Sequence, residues 1–235
     1  MNLGKSWDKV ADKFNTYNQD VWYGAADNIN TVRPVMIDFI KEKFPKPKGL
    51  KALDYGCGTG MFCRELKSFG FETSGIDLSA EMIKIGQKNL DASIHLSIGD
   101  TSTAKRLSVN SGPFNLISAI MVLQFTKKEN LANLVSSLKL NGYLIFANHN
   151  PKGLKARGVK DTFTLSDTNV SLPIYPRDIK TYDALLGKLG LKRVLKKYPS
   201  ASKKFLQKHH ITRPTDIPKY TLLAYQKYLN KPATI

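Results

Sequence analysis

The sequence is short of cysteine, of tryptophan and of negative charge, and it has no long unbroken apolar run. Cys57 and Cys63 are its only cysteines. Six residues apart around a glycine-rich turn, they suit reduced thiols better than a structural bridge, and they leave a zinc site without its ligands, so no metal is expected. No window approaches 18 uninterrupted apolar residues, which argues against a membrane-spanning helix, and the polar stretch Met1 to Asp12 lacks the apolar run of a secretory leader. The expected location is the cytoplasm, with no membrane partner.

Acidic residues are the scarcer sign. There are 19 Asp and Glu against 36 Lys and Arg, a net charge of +17. Residues 151–235 hold 18 of the basic residues and 5 of the acidic ones, so the positive field belongs mainly to the last third. Such a surface could meet nucleic acid or an acidic substrate. Against nucleic acid, lysine heavily outnumbers arginine, and aromatics are not interleaved with the lysines as a stacking platform requires. Solvated surface lysines are the favoured reading.

What is present is a globular composition. At 42% hydrophobic and 23% charged over 235 residues, the chain can fill one core, with at most a small appended cap. Trp7, Val10, Ala11, Phe14 and Tyr17 recur at the spacing of one helix face, and a second helix is predicted from about Thr31, with Val32, Met36, Phe39 and Ile40 inward, ending before Pro45. Residues 1–48 thus read as an N-terminal helical cover and 49–235 as the main domain.

From Leu50 short apolar runs alternate with helical ones, the pattern of a mostly parallel sheet covered on both faces. Strands are predicted at Lys51–Asp54, Thr73–Asp77, around Ile94–Ile98, at Phe114–Val122, Tyr143–Asn148, Leu191–Lys197 and Tyr220–Tyr225, which makes seven. Ser79 can cap the helix of Met82, Ile83, Gly86 and Leu90. Thr126 and Glu129 read as a capping box ahead of Leu131, Leu134, Val135 and Leu138, and Asn141-Gly142 as the turn into the next strand. Residues 150–176, with three prolines and two glycines, read as a long irregular insertion of the kind that contacts substrate.

The strongest local signal is Asp54-Tyr55-Gly56-Cys57-Gly58-Thr59-Gly60, a strand running into a glycine turn and then a helix. Glycine there permits positive φ and lets ligand atoms approach the main chain, while the helix offers free N–H groups. Asp77 ends the next strand, 17 residues after Gly60, where a carboxylate can accept hydrogen bonds from both hydroxyls of a ribose. Asp100 follows the third. Each alone could be a helix cap or a turn residue; three at successive strand ends point to a ligand site at the carboxyl edge of an open sheet. A carboxylate at Asp54 suits a cofactor bearing an ammonium and a sulfonium and would repel the pyrophosphate of a nicotinamide dinucleotide.

These residues resemble the class I S-adenosylmethionine-dependent methyltransferases, most of all their small-molecule (type 11-like) branch. The glycine motif, Asp77-Leu78-Ser79, Gly99-Asp100-Thr101, the run from Phe114 to Phe125 and Leu138 to Leu144 carry the resemblance, which covers about residues 50–148. Asn115 stands where an aspartate is common and Asn141 where a proline is. The resemblance implies a doubly wound, Rossmann-like α/β fold and S-adenosylmethionine as cofactor, with S-adenosylhomocysteine as product. It implies that Asp54, Gly56, Cys57, Gly58 and Gly60 surround the methionine part, Asp77 the ribose, Leu78 and Met82 the adenine face, and Asp100 and Thr101 the adenine edge. Main chain near Ala119 and Ile120 completes the pocket.

For the acceptor side the candidates are Tyr17, Trp22 and Tyr23, folded over the cofactor, and His149, just after the fifth strand, for contact or proton removal. The expected acceptor is a small molecule. Transfer to nucleic acid is the second reading, opposed by the absence of an Asn-Pro-Pro-Tyr or Asp-Pro-Pro-Tyr motif, and a non-catalytic cofactor-binding protein is the third.

Overall fold

The computed structural model describes residues 2–15, 28–165, 168–200, 207 and 217–229. Nine strands occur among them: β1 (Lys51–Tyr55), β2 (Glu72–Asp77), β3 (His95–Ile98), β4 (Phe114–Ile120), β5 (Leu138–His149), β6 (Thr162–Thr164), β7 (Ser171–Pro173), β8 (Leu191–Lys197) and β9 (Tyr220–Lys227). Seven form one sheet in the order β3-β2-β1-β4-β5-β9-β8. The first five are parallel, and β9 runs antiparallel between β5 and β8. The chain therefore steps outward from β1 to β3, then returns to the other side of β1. That reversal, between β1 and β4, opens a crevice at the carboxyl ends of the strands.

Helices cover both faces. α2 (Arg33–Lys43) and α3 (Met61–Phe69) bury Met36, Phe39, Ile40, Phe62 and Leu66 on one face, against Ala52, Leu116 and Ile145. α5 (Thr101–Ser111), α6 (Leu131–Ser136) and α8 (Ile179–Lys188) cover the other, where Leu134, Tyr182 and Leu186 pack on Leu53, Ile117 and Phe146. α4 (Ala80–Asn89), capped by Ser79 as its sequence predicts, closes Ile83 onto Cys63 near the β3 edge. The doubly wound α/β architecture expected from the alternating pattern is thus present, and the predicted strands are found within a few residues of their expected bounds.

Four local expectations give way. The N-terminal stripe does not make one helix: α1 (Leu3–Asp8) stops at Lys9, Val10 leaves the helical region at φ −122°, and Ala11–Phe14 form a separate 3-10 turn. The break lets Val10 join Leu154 and Leu172 of the 150–176 segment in a small satellite core, with Trp7 and Phe14 packed against it. The Thr126/Glu129 capping box is absent, because α6 begins only at Leu131 and the Thr126 hydroxyl donates to the Val122 carbonyl instead, at 3.2 Å.

Asn141-Gly142 is no turn between helix and strand either. β5 already starts at Leu138 and passes through Asn141 at φ +63°, a conformation asparagine tolerates, with a register shift against β4. Lastly, residues 150–176 contain order: α7 (Pro151–Ala156), capped by Asn150, and the β6–β7 hairpin.

Candidate functional site

A cavity of about 400 Å³ opens at the carboxyl ends of β1, β2 and β4, beneath α1 and the 3-10 turn. Its floor is the glycine turn. Gly56 and Cys57 both donate from their main-chain N–H to the Ile76 carbonyl, at 2.7 and 3.0 Å, which carries the β1–β2 ladder past the end of the strand. Gly56 and Gly58 hold φ of +72° and +55°, a region other residues enter only with strain. A Cβ at Gly56 would lie 2.5 Å from Val122 Cγ2, so the turn and the segment after β4 approach too closely for any side chain there.

Asp77 locks this floor. Its Oδ2 accepts from the Gly58 N–H at 2.8 Å and its Oδ1 from the Ser79 N–H at 2.9 Å. Burial raises its pKa above the ordinary value, opposed by those main-chain donors. The cover is tied to the same corner: Asp8 Oδ1 accepts from the Ser79 hydroxyl at 2.6 Å and from the Glu81 N–H at 3.2 Å.

Asp54 is 3% exposed, and the Ser118 hydroxyl from the paired strand β4 donates to its Oδ1 at 2.7 Å. Burial pushes its pKa up to about 7, against the pull of Ser118 and of the Arg33 charge. Removing a carboxylate from water disfavours its ionised form unless a cation compensates. Arg33 lines the cavity, but its Nη1 pairs with Glu65 at 3.1 Å, and its Nε has no hydrogen-bond partner among the described residues. Asn28 Oδ1, also on a lining residue, is buried and likewise unpartnered among them.

Asp100 lines the rim. Burial opposes its ionisation, but the Ser102 hydroxyl and N–H, at 2.6 and 2.8 Å, and the Thr103 N–H hold its pKa below the ordinary value. All three bonds reach Oδ1, so the residue caps α5 with one oxygen.

Leu78, Met82 and Ile120 also line the cavity, as does Cys57. Hydrogen bonding with Cys63, and then burial, raise the Cys57 thiol well above its usual pKa, so it stays protonated and packs. Gly60, Thr101 and Ala119 do not line it. Gly60 turns the chain into α3 against Leu90, while Thr101 and Ala119 are 1% and 0% exposed and stand behind the wall.

The residues the sequence reading missed complete the enclosure. Met121 follows β4 at φ +59°, a strained conformation for methionine, and lines the cavity with Val122 and Phe125. Trp7 meets Phe14 and Phe125 edge to face, with ring centroids 5.9 and 5.6 Å apart, as an aromatic wall. Trp7 and Phe14 were legible as an apolar stripe; nothing in the local sequence marks Met121, Asn28 or Arg33.

His149 is elsewhere. Its main-chain N–H donates to Gln124 Oε1 at 2.9 Å, and its Nδ1 lies 3.0 Å from Gln124 Nε2 and 3.2 Å from Oε1. It lines a second cavity beyond the 123–126 segment and not the cavity of Asp54, Asp77 and Asp100, so the structure does not bring it together with those residues. Tyr17, Trp22 and Tyr23 lie outside the described residues.

Comparison with known proteins adds the family. Residues 29–194 match the family described as "Methyltransferase domain". Among curated proteins the chain is similar to a ubiquinone biosynthesis O-methyltransferase of Xylella fastidiosa (strain 9a5c), 28% identical over 48% of this chain and 47% of that protein. It is also similar to one of Bordetella avium (strain 197N), 21% identical over 73% and 71%. The match to the Xylella protein thus spans about half of that relative's length. Two solved structures share the fold. An S-adenosylmethionine dependent methyltransferase from Mesorhizobium loti has a TM-score of 0.63 at 18% identity, over 81% of this chain and 96% of that one. The N-methyltransferase NodS from Bradyrhizobium japonicum WM9, in complex with S-adenosyl-L-homocysteine, gives 0.63 at 15% identity, over 97% and 96%.

Proposed function

This chain belongs to the methyltransferase-domain family, and from that membership we propose that it transfers a methyl group from S-adenosylmethionine to a small-molecule acceptor, with the cofactor in the cavity of Asp54, Asp77 and Asp100. The observation that carries the reading is the buried carboxylate of Asp54, its pKa pushed up to about 7 by burial, in a cavity that is also lined by Asn28 with its orphaned Oδ1. Both are buried acceptors that a cationic donor would satisfy, and the α-ammonium of the cofactor is one. The fit extends along the cavity. Each Asp77 oxygen keeps a lone pair for a ribose hydroxyl after its main-chain bond, Leu78 and Met82 offer an apolar face for adenine, and Asp100 keeps Oδ2 for the adenine amino group. Gly56, Cys57 and Gly58 present main chain to the amino-acid part, with Ile120 and Met121 opposite. Gly60, Thr101 and Ala119 act from behind, by holding the turn and the wall.

When bound, the cofactor supplies a methyl group already activated for attack, so the protein's part is alignment and exclusion of water. Trp7, Phe14, Val122 and Phe125 form the wall left for the acceptor. They offer shape and apolar contact rather than a proton acceptor, which supports a small, largely apolar acceptor over nucleic acid. The strained Met121 fixes the direction in which the chain leaves β4, and hence the spacing between turn and wall.

Titration calorimetry with S-adenosylhomocysteine tests the cofactor half: one-to-one binding is expected, weakened at least 30-fold by Asp77→Ala. Release of S-adenosylhomocysteine from S-adenosylmethionine with a panel of small acceptors tests the transfer. Absence of heat with either nucleoside would sink the proposal.

A further inference from the structure

The second cavity is a separate chamber of about 440 Å³ at the carboxyl end of β5, between α8 and the start of β9. It shares no lining residue with the first. Among its walls are Asn148, His149, Lys152, Arg177, Lys180 and Tyr182. Three features stand out.

First, Asn148 is 5% exposed and its Oδ1 is buried with no hydrogen-bond partner among the described residues, whereas its Nδ2 donates to the Tyr182 hydroxyl at 2.8 Å. A buried amide oxygen without a donor is costly and uncommon in folded proteins, and it calls for a partner supplied from the cavity.

Second, the chamber is electropositive. Arg177, Lys152 and Lys180 face it, with Asp178 as the one lining carboxylate among the described residues, and Asp178 spends its Oδ1 on the Thr181 N–H and hydroxyl at the start of α8. Arg177 donates to the carbonyls of Leu123 at 3.0 Å and Thr126 at 2.7 Å, also hydrogen-bonds the Tyr182 side chain, and makes no ion pair among the described residues. Its charge is oriented but not neutralised.

Third, Phe146, His149, Tyr182 and Tyr198 add aromatic rings to walls that are otherwise largely aliphatic. Tyr182 packs with Phe146 at 4.7 Å between centroids, and His149 sits between Phe163 and Tyr220 at 5.1 and 5.6 Å. Aromatic rings, fixed positive charge and one unmet acceptor describe a ligand with a ring, an anionic group and a hydrogen-bond donor.

We propose that this chamber is a second binding site, distinct from the methyl-transfer cavity, that takes a small hydroxylated aromatic carboxylate. The ring lies among Tyr182, Phe146 and His149, the hydroxyl donates to Asn148 Oδ1, and the carboxylate meets the Arg177, Lys152 and Lys180 charges.

The site can be tested without any methyl transfer, so its failure and that of the proposed activity are separable. Calorimetry on the full chain compares 4-hydroxybenzoate with benzoate, which lacks the donor, and with 4-hydroxybenzyl alcohol, which lacks the charge. One-to-one binding of 4-hydroxybenzoate is expected, about tenfold weaker for each of the other two. Asn148→Leu should weaken 4-hydroxybenzoate by about tenfold, and Lys180→Glu, at an exposed position that should not disturb folding, by several-fold with an unchanged melting temperature. Saturating S-adenosylhomocysteine should not displace it. No saturable heat, equal binding of all three probes, displacement by the nucleoside, or an affinity unmoved by Lys180→Glu would each overturn the proposal.

Discussion

The two chambers at the carboxyl edge of the sheet are opposites in construction. The first is shaped by main chain, with a glycine turn as its floor and the carboxylates Asp54, Asp77 and Asp100 at the ends of consecutive strands. The second is shaped by side chains from β5, α7, α8 and the approach to β9, and its charge is positive. Between them stands the 123–126 segment, held from the second side by Arg177 and by the bond its own Gln124 accepts from the His149 N–H. The difference teaches that strand ends impose geometry through backbone, while specificity for a less standard ligand is assembled from residues far apart in sequence.

That contrast can be broken at the floor. Gly56→Ala places a methyl 2.5 Å from Val122 at φ +72°, and we expect S-adenosylhomocysteine affinity to fall more than 100-fold in calorimetry, with 4-hydroxybenzoate binding in the second chamber retained. Loss of both would mean that the two are not independent.

A smaller effect sharpens the electrostatic side. With its folded pKa raised from 3.8 to about 7, Asp54 keeps a proton that the unfolded chain releases. Its contribution to the stability of the free protein is therefore fully present below pH 4 and is lost as pH rises through 7. A cationic ligand favours the ionised form, so binding releases that proton, and S-adenosylmethionine affinity should rise by up to about tenfold per pH unit from pH 5.5 toward 7, then level. Asp54→Asn should flatten the profile. A wild-type profile already flat over this range would remove the cationic role given to this corner.

The smallest effect concerns Ser118. Its hydroxyl opposes the rise in the Asp54 pKa, so Ser118→Ala should move the midpoint of the same affinity profile upward by less than one unit. A downward movement would show that the hydroxyl does not favour the carboxylate.

How much could be read from the residues follows from the same contrast. The first chamber's floor was legible because one stretch of chain carries it: an apolar strand, Asp54, glycines that alone accept the φ values required, then a helix. Asp77 was legible by its place at the next strand end. Arg33 and Asn28 were not, since their roles arise only when α2 and the residues before it fold over β1. That His149 lines the other chamber was not legible, because its place there goes with Gln124, 25 residues earlier in sequence, whose side chain accepts from its main-chain N–H. The capping box at Thr126 misled for a related reason. A threonine hydroxyl has several carbonyls within reach, and here the Val122 carbonyl, one turn back, is the one it meets.

The position of β9 bears on how the chain comes off the ribosome. It is the last strand among the described residues, yet it sits between two earlier ones, pairing with β5 at seven positions and with β8 at six. Until it emerges, β8 has no neighbour in the sheet among the described residues, and β5 presents Leu144 to Ala147 as an open, apolar edge able to add a strand from another molecule. Nascent chains stalled before Tyr220 should therefore be the aggregation-prone species during synthesis, however well the glycine turn has already formed.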